Sequence, residues 1–159
     1  MGRKISLRAN KIFLLVLLCL YCSCDGVLFH DFRTVAVDGW GRCDTLEYVY
    51  EKGFVKDTAV LLSVDVRTVA SYPYKDIVVA VEALDTAGGV FCKDTFVCAV
   101  YDDNGRRVGH TAGIIYQQSS ESMAISLPYQ TNLLRLSHLM PDSLLCGIFD
   151  VGIKICSEN

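Results

Sequence analysis

Histidine, cysteine and carboxylate side chains at short spacings are the residues from which metal sites and catalytic centres are built. The chain has three histidines, His30, His110 and His138, and none of them is close in sequence to another histidine or to a cysteine. Zinc sites usually draw their ligands from closely spaced pairs, so this spacing predicts no metal site. The nucleophile motif G-x-S-x-G, a phosphate-cradling glycine loop and a dinucleotide fingerprint are also absent. We therefore predict a protein that is not an enzyme and has no cofactor.

Carboxylates leave one catalytic alternative open. A pair that acts on sugars can meet in space from distant positions in the sequence. Asp65, Glu82 and Asp150 are the candidates, and each alternates with apolar residues in an extended pattern. We interpret all three as solvated residues on the outer side of strands.

The segment from Asp102 to Gly105 has the acidic residues of a calcium loop. No further carboxylate recurs at the spacing that a calcium loop needs. Asn104-Gly105 lies between two extended runs, and this dipeptide is a strong signal for a hairpin turn because both positions tolerate a positive φ. A hairpin turn is the preferred interpretation.

The N-terminal residues have the pattern of a lipoprotein signal. Four basic residues precede an apolar run over residues 12–20, and Tyr21-Cys22-Ser23-Cys24 follows. Nine or ten apolar residues are too few to span a bilayer, which needs about 20. We predict a cleaved signal peptide over residues 1–23 and lipidation of Cys24. Ordinary cleavage without a lipid and a retained membrane helix are the two alternatives.

The charge of the mature chain bears on its partners. All four basic residues before Cys24 belong to the signal, which leaves 11 basic residues against 18 acidic ones and a formal charge of −7. An acidic domain without a basic run repels nucleic acid and anionic lipid headgroups. The sequence predicts no nucleic-acid partner and a membrane contact through the N-terminal anchor alone.

Five cysteines remain after Cys24, an odd number, so at least one thiol stays free. Cys92 and Cys98 are separated by about 20 Å if they share one strand, which is beyond the reach of a disulfide. For most of the five we favour a packing role over a disulfide, since free cysteine often behaves as a small buried hydrophobe. The five are Cys43, Cys92, Cys98, Cys146 and Cys156.

The elements that position these side chains are predicted to be strands. Apolar and polar residues alternate with period two over 59–69 and 76–84. Residues 90–101 are apolar on both sides, as expected of a central strand. Near the C-terminus, Phe149, Val151, Ile153 and Ile155 alternate with polar or small residues. Residues 129–140 fit a strand and a short helix equally well. The pattern predicts an all-β, jelly-roll-like antiparallel β-sandwich of about eight strands over 38–159, with 24–37 as the lipidated N-terminus and tether. Trp40 is interpreted as a core anchor, with an exposed binding platform as the alternative.

One succession of residues resembles a known family. It comprises Arg67, Tyr72-Pro73-Tyr74, Asp94-Thr95, Asp103-Asn104-Gly105, His138-Leu139-Met140 and the run Gly147 to Ile153, with Trp40 and Cys24 upstream. This succession resembles the gliding-motility lipoprotein GldH family of Bacteroidetes. The resemblance implies a cell-envelope lipoprotein that faces the periplasm or the cell surface, has envelope protein partners and carries no enzymatic activity.

The resemblance also turns Trp40, Arg67, Tyr74 and His138 into candidates for a partner-binding patch. Arg67 has a structural alternative, which is pairing with Asp65 or Glu82. Our leading hypothesis is a structural or assembly component of a gliding- or secretion-associated envelope complex. The alternative is a carbohydrate-binding module that uses the rings of Trp40, Tyr72 and Tyr74.

Overall fold

The computed structural model describes residues 26–51, 59–85 and 87–158. Antiparallel strands make up the regular structure of these residues, which confirms the predicted all-β sandwich. The strands are β1 (Val27–Thr34), β2 (Trp40–Gly41), β3 (Leu46–Val49), β4 (Ala59–Val69), β5 (Asp76–Asp85), β6 (Val90–Ala99), β7 (His110–Ala112), β8 (Ile115–Ser119), β9 (Met123–Ser126), β10 (Thr131–His138), β11 (Leu144–Leu145) and β12 (Ile148–Ser157).

A six-stranded sheet forms one layer, in the order β1-β12-β4-β8-β7, with β9 also paired to β4. β8 and β9 lie along the same edge of β4, where β8 pairs with residues 65–69 and β9 with residues 59–62. Between them Ser120 holds the chain to β4, since its amide donates to the Val64 carbonyl at 2.8 Å and its Oγ accepts from the Val64 amide at 3.0 Å. A single bulged segment therefore runs along this edge of β4.

The second layer is a four-stranded sheet in the order β3-β10-β5-β6. Its outer face carries a row of alternating charges, because the register places one charged residue on each strand. Arg135 bonds to Glu47 at 3.0 Å and Lys93 bonds to Glu82 at 2.8 Å. Glu82 is thus paired with a lysine on the neighbouring strand and is not the partner of Arg67.

The core lies between the two sheets and follows the period-two pattern of the strands. In β4 the even-numbered residues from Val60 to Val66 are almost fully buried, and in β5 the odd-numbered residues from Ile77 to Ala83 are buried with them. Each fully buried Val, Leu or Ile side chain contributes about 1.5–3 kcal/mol of hydrophobic free energy. The inward faces predicted for both strands are confirmed.

Trp40 is buried at one end of the sandwich. It lies on β2, which pairs with β11 in a separate two-stranded ladder. Only 1% of its surface is exposed, and its indole Nε1 donates to the Asp44 carbonyl at 3.0 Å. The core-anchor interpretation of Trp40 is confirmed.

The elements differ from the sequence-based prediction in three places. Residues 27–34, which belong to the predicted tether, form strand β1 at the edge of the six-stranded sheet, so the sandwich begins before residue 38. Residues 131–138 form a strand, which settles the ambiguous segment 129–140. The described residues form twelve strands, whereas the sequence predicts about eight. The difference arises because β2, β7 and β11 are too short to show a period and because a bulge separates β8 from β9.

Phe149 is exposed, whereas the alternation of the last strand predicted that it points inward. A register shift between Ile148 and Asp150 interrupts the pairing of β12 with β4, so Phe149 is the extra residue of a bulge. Its side chain is 46% exposed. The remaining inward positions, Val151, Ile153 and Ile155, are fully buried as predicted.

The five cysteines of the described domain are free thiols. The packing role predicted for most of them holds for Cys98, which is fully buried and donates from its Sγ to the Val64 carbonyl at 3.4 Å. Cys92 and Cys156 are half-buried. The packing role is wrong for Cys43 and Cys146, which are exposed because they lie beside the short β2–β11 ladder at the surface.

Cys24 and the predicted signal peptide lie outside the described residues. Within the ranges given above, no helix has the length and the apolar character to cross a membrane.

Candidate functional site

A row of polar residues crosses the outer face of the six-stranded sheet. The register of the strands places these residues side by side, since each one pairs directly with the next on the neighbouring strand. Residues that face each other in adjacent antiparallel strands have Cβ atoms about 5 Å apart, close enough for direct contact. From β1 to β7 the members of this polar row are Thr34, Asp150, Arg67, Gln117 and His110.

Arg67 is the centre of the polar row and is held on three sides. Its Nε donates to Gln117 Oε1 at 3.1 Å, and its Nη1 donates to Asp150 Oδ2 at 3.2 Å. The guanidinium also stacks over the ring of Phe32, with its Cζ 3.9 Å from the ring centroid. A planar guanidinium with several fixed partners loses little further freedom when it binds another group.

Gly152 makes room for this stacking. The register aligns Phe32, Gly152 and Asp65 on three neighbouring strands. Because residue 152 has no side chain, the ring of Phe32 folds across β12 and reaches Arg67 on β4. A glycine inside a strand often marks such a close approach.

Asp65 is buried on the outer face, with only 3% of its surface exposed. The Nε2 of His30 lies 2.8 Å from Asp65 Oδ2, and the Oγ of Ser119 donates to Asp65 Oδ1 at 2.5 Å. Asp150 is 93% buried as well, so the interpretation of these two aspartates as solvated residues is wrong. The side chains that cover them come from β1 and β8, whose positions in the sheet the alternation pattern does not reveal.

Serine, histidine and aspartate meet at this site in an order that differs from a hydrolytic triad. In the triad a histidine lies between the serine and the aspartate, so that it can take the serine proton. Here Asp65 lies between Ser119 and His30 and accepts a hydrogen bond from each. The arrangement fixes β1 and β8 to β4, and the partner that Ser119 has in it is the carboxylate of Asp65 and not a histidine.

An open cavity of about 260 Å³ lies at the β7 end of the polar row. Arg67, Gln117 and Asp150 form its polar wall, and the apolar side chains of Phe149 and Ile115 also line it. The exposed residues His110 and Thr111 of β7 complete the lining. The cavity therefore combines fixed hydrogen-bonding groups with an exposed aromatic ring.

The other predicted partner residues lie away from Arg67, near the β2–β11 ladder. His138 is 1% exposed, and its ring packs on Trp40 with centroids 5.3 Å apart. Burial lowers the pKa of His138 below its ordinary value of 6.5. Tyr74 is half-buried and donates from its hydroxyl to Asp142 Oδ2. The four predicted residues thus form no single patch, and only Arg67 and Tyr74 reach the surface.

The aromatic platform proposed for sugar binding is also absent in that form. Trp40 and Tyr72 are each 1% exposed. The Tyr72 ring packs edge-on against Tyr74 at 5.8 Å between centroids, and its hydroxyl donates to the Asp76 carbonyl. Only Tyr74 remains accessible, and a single half-buried ring does not make a platform.

Asp102 stabilises the turn over residues 102–105, the segment that has the acidic residues of a calcium loop. Its Oδ1 accepts hydrogen bonds from the amides of Asn104 and Arg106, at 2.9 Å and 2.8 Å. Gly105 has φ 74°, as a tight hairpin connection requires. The predicted turn is confirmed, and Tyr101 pairs with Arg107 across it as a single antiparallel bridge, whereas the next strand, β7, belongs to the six-stranded sheet. Among the described residues, no group of three or more His, Cys, Asp or Glu side chains is placed to hold a metal ion.

A family profile described as GldH lipoprotein matches residues 27–155. The chain belongs to the GldH lipoprotein family. The match covers the whole sandwich from the first residue of β1 to near the end of β12. The resemblance inferred from the sequence is therefore confirmed at the level of the family, and membership supports a membrane-anchored envelope lipoprotein. No curated protein matches the chain by sequence.

Several solved structures share a distant likeness with this family member. An Eiger TNF structure from S. frugiperda is 9% identical, with a TM-score of 0.35, over 82% of this chain and 94% of that one. The K1 cleaved adhesin domain of Lys-gingipain from Porphyromonas gingivalis W83 is 13% identical, with a TM-score of 0.35, over 80% and 73%. A chain in the structure of infectious bursal disease virus, Gx strain, is 14% identical, with a TM-score of 0.33, over 84% of this chain and 34% of that one. At these values the likenesses say nothing about function.

Arg67 is recognisable as a candidate from the sequence, but the residues that surround it are not. Alternation shows which side chains share a face of one strand, but it does not show which strands become neighbours. The pairing of β8 with β4 and of β12 with β4 connects segments about 50 and 85 residues apart. The partners that this pairing gives to Arg67 are Gln117, Asp150 and Phe32.

Proposed function

We propose that this protein is a lipid-anchored component of the bacterial cell envelope that acts as a structural or assembly subunit of a gliding- or secretion-associated complex. The observation that carries the proposal is the family match over residues 27–155, which starts three residues after Cys24. The lipid on Cys24 attaches the domain to a membrane, and the sandwich provides the surface that its partners bind. The role is non-enzymatic.

Two properties of the chain support this proposal. The mature chain has a formal charge of −7, which opposes direct binding to anionic lipid, so stable attachment depends on acyl chains. One acyl chain gives only marginal binding, whereas two or more give a stable anchor. A bacterial lipoprotein is expected to carry at least two acyl chains, and the apolar run over residues 12–20 is shorter than the roughly 20 residues that span a bilayer.

The anchor is tested by labelling cells with radioactive palmitate. Cys24→Ala should remove the label from the protein and release it from the membrane fraction. Cys22→Ala is the matched control, because it changes a neighbouring cysteine of the signal and should leave the labelling intact. Equal labelling of Cys24→Ala and the natural protein would contradict the anchor.

The assembly role is tested by affinity purification from envelope membranes. The acylated protein should co-purify with a defined set of envelope proteins after chemical cross-linking, and Cys24→Ala should lose that set. Recovery of the acylated protein alone, under conditions where known envelope complexes stay together, would contradict an assembly role.

A further inference from the structure

We propose that the cavity at the β7 end of the polar row binds a single sugar residue of a glycan. The proposal does not depend on the lipid anchor. It rests on four features of the cavity, which are its fixed polar wall, its balanced charge, its exposed aromatic ring and its size.

The polar wall offers donors and acceptors side by side. Arg67 uses Nε and Nη1 for Gln117 and Asp150, and among the described residues its Nη2 donates to no partner. Asp150 accepts from Arg67 through Oδ2, which leaves Oδ1 as an acceptor, and Gln117 keeps its amide NH₂ as a donor. Neighbouring hydroxyls of a sugar ring each donate and accept, so one hydroxyl can donate to Asp150 while the next accepts from Arg67.

The balanced charge selects against ionic ligands. Arg67 lies 3.2 Å from Asp150, so its positive charge is compensated within the wall. An anionic ligand would meet the carboxylate of Asp150, and a cationic ligand would meet the guanidinium of Arg67. Bidentate and charge-assisted hydrogen bonds to a neutral polar ligand remain favourable at such a pair.

The aromatic ring gives the ligand an apolar surface. Phe149 is 46% exposed beside the cavity, because the bulge in β12 turns it out of the core. An exposed aromatic side chain next to convergent polar groups is typical of ligand sites, and a sugar ring has an apolar face of C–H groups that suits it.

The size of the cavity and the orientation of the polar row across the strands favour a sugar over a peptide. A cavity of about 260 Å³ is smaller than the pockets that hold drug-sized ligands, and it accommodates one ring. An extended peptide binds most readily along the edge of a sheet, where backbone groups are unpaired. The polar row runs across the strands, and its hydrogen-bonding groups belong to side chains.

The proposal is tested by saturation-transfer-difference NMR on the acylated full-length mature protein, in a detergent without a sugar headgroup. The probes are glucose, galactose, mannose and N-acetylglucosamine, with glycylglycine and acetate as non-sugar probes. At least one monosaccharide should receive saturation, most strongly at the protons of one ring face. Acetate and glycylglycine should neither receive it nor displace the sugar.

Two variants locate the binding site. Thr111→Trp places a bulky ring at the rim of the cavity and should abolish the signal, while Thr45→Trp, at an exposed threonine in the loop before β3, should leave it unchanged. Phe149→Ala removes the aromatic surface without blocking the cavity and should weaken binding about tenfold. Saturation of no monosaccharide, a signal that survives Thr111→Trp, or preferential binding of glycylglycine or acetate would each overturn the proposal.

Discussion

The ring of Phe32 lies against the backbone of Gly152, and its Cε1 is 2.7 Å from the position that a Cβ on residue 152 would take. Phe32 belongs to β1 and Gly152 to β12. Through this contact the edge strand β1 reaches over its neighbour to Arg67 on β4. The absence of one side chain therefore couples three strands of the six-stranded sheet.

We expect Gly152→Ala to destabilise the protein by about 1–3 kcal/mol, because the new methyl group displaces the Phe32 ring and weakens its stacking on Arg67. The free energy of unfolding is measured by equilibrium urea denaturation. In a double-mutant cycle, Phe32→Ala should remove most of the effect of Gly152→Ala. Additive losses in the double variant would show that the ring does not transmit the strain.

We expect Asp65→Ala to cost about 1–2 kcal/mol of unfolding free energy, because it removes the two hydrogen bonds that join β1 and β8 to β4, while the exposed His30 and Ser119 can bond to water instead. Asp65→Asn keeps one acceptor oxygen and should cost less. Asp103→Ala is the matched control, since its bond to Lys75 is exposed to solvent and its loss should produce no measurable change. If Asp65→Ala resembled Asp103→Ala in urea denaturation, the hydrogen bonds of Asp65 to His30 and Ser119 would not stabilise the sheet.

We expect His138 to make the protein less stable in mild acid. Burial is the main cause that lowers its pKa below 6.5, and Arg42 acts in the same direction, while the Trp40 backbone, Asp142 and Asp44 oppose them. Above pH 6.5 the residue is neutral in both the folded and the unfolded chain. Below that pH the unfolded chain takes up a proton that the folded protein resists, so the stability falls until the lowered pKa is reached.

The measurement for His138 is the free energy of unfolding between pH 8 and pH 5. His138→Phe keeps an aromatic ring beside Trp40 and removes the titrating group, so its stability should decline less over this range. Identical pH profiles for the variant and the natural protein would show that His138 contributes nothing to the acid sensitivity.

We expect the buried thiol of Cys98 to react with a maleimide much more slowly than the exposed thiols of Cys43 and Cys146. Burial, together with the smaller effect of the nearby Asp65 charge, raises the pKa of Cys98 to about 12, so its reactive thiolate is scarce as well as inaccessible. Cys43 and Cys146 are exposed and should react with a maleimide within the mixing period. Mass spectrometry of the natively labelled protein gives the order of reaction. Rapid native labelling of Cys98 would contradict the packing of β6 against β4.

The sandwich itself was predictable because its strands are long and one side of each is buried. The bounds of β4 follow from the alternation of the inward residues from Val60 to Val66 with the outward residues Ser63, Asp65 and Arg67. Short elements such as β2 and β11 have two residues each, too few to show a period. Their existence depends on hydrogen bonds to a distant partner, which a pattern within the element does not contain.

The surroundings of Arg67 were unpredictable for a different physical reason. Its charge and its outward direction follow from the sequence of β4, but its partners come from β1, β8 and β12. The bulge at Phe149 reverses the direction of one side chain at a position where the sequence continues to alternate. Pairing between strands, and not alternation within them, decides which residues meet at the site.

Strand β1 limits how far the domain can stand from a membrane. The Gly26 carbonyl already accepts a hydrogen bond from the Ser157 amide at 2.8 Å, so the sandwich begins two residues after Cys24. Two extended residues reach only about 7 Å, whereas a free tether to residue 37 would reach roughly 45 Å. The lipid proposed for Cys24 would therefore hold the Val27 end of β1 at the headgroups. Thr34 and the polar row lie at the other end of that strand, about 23 Å along its axis.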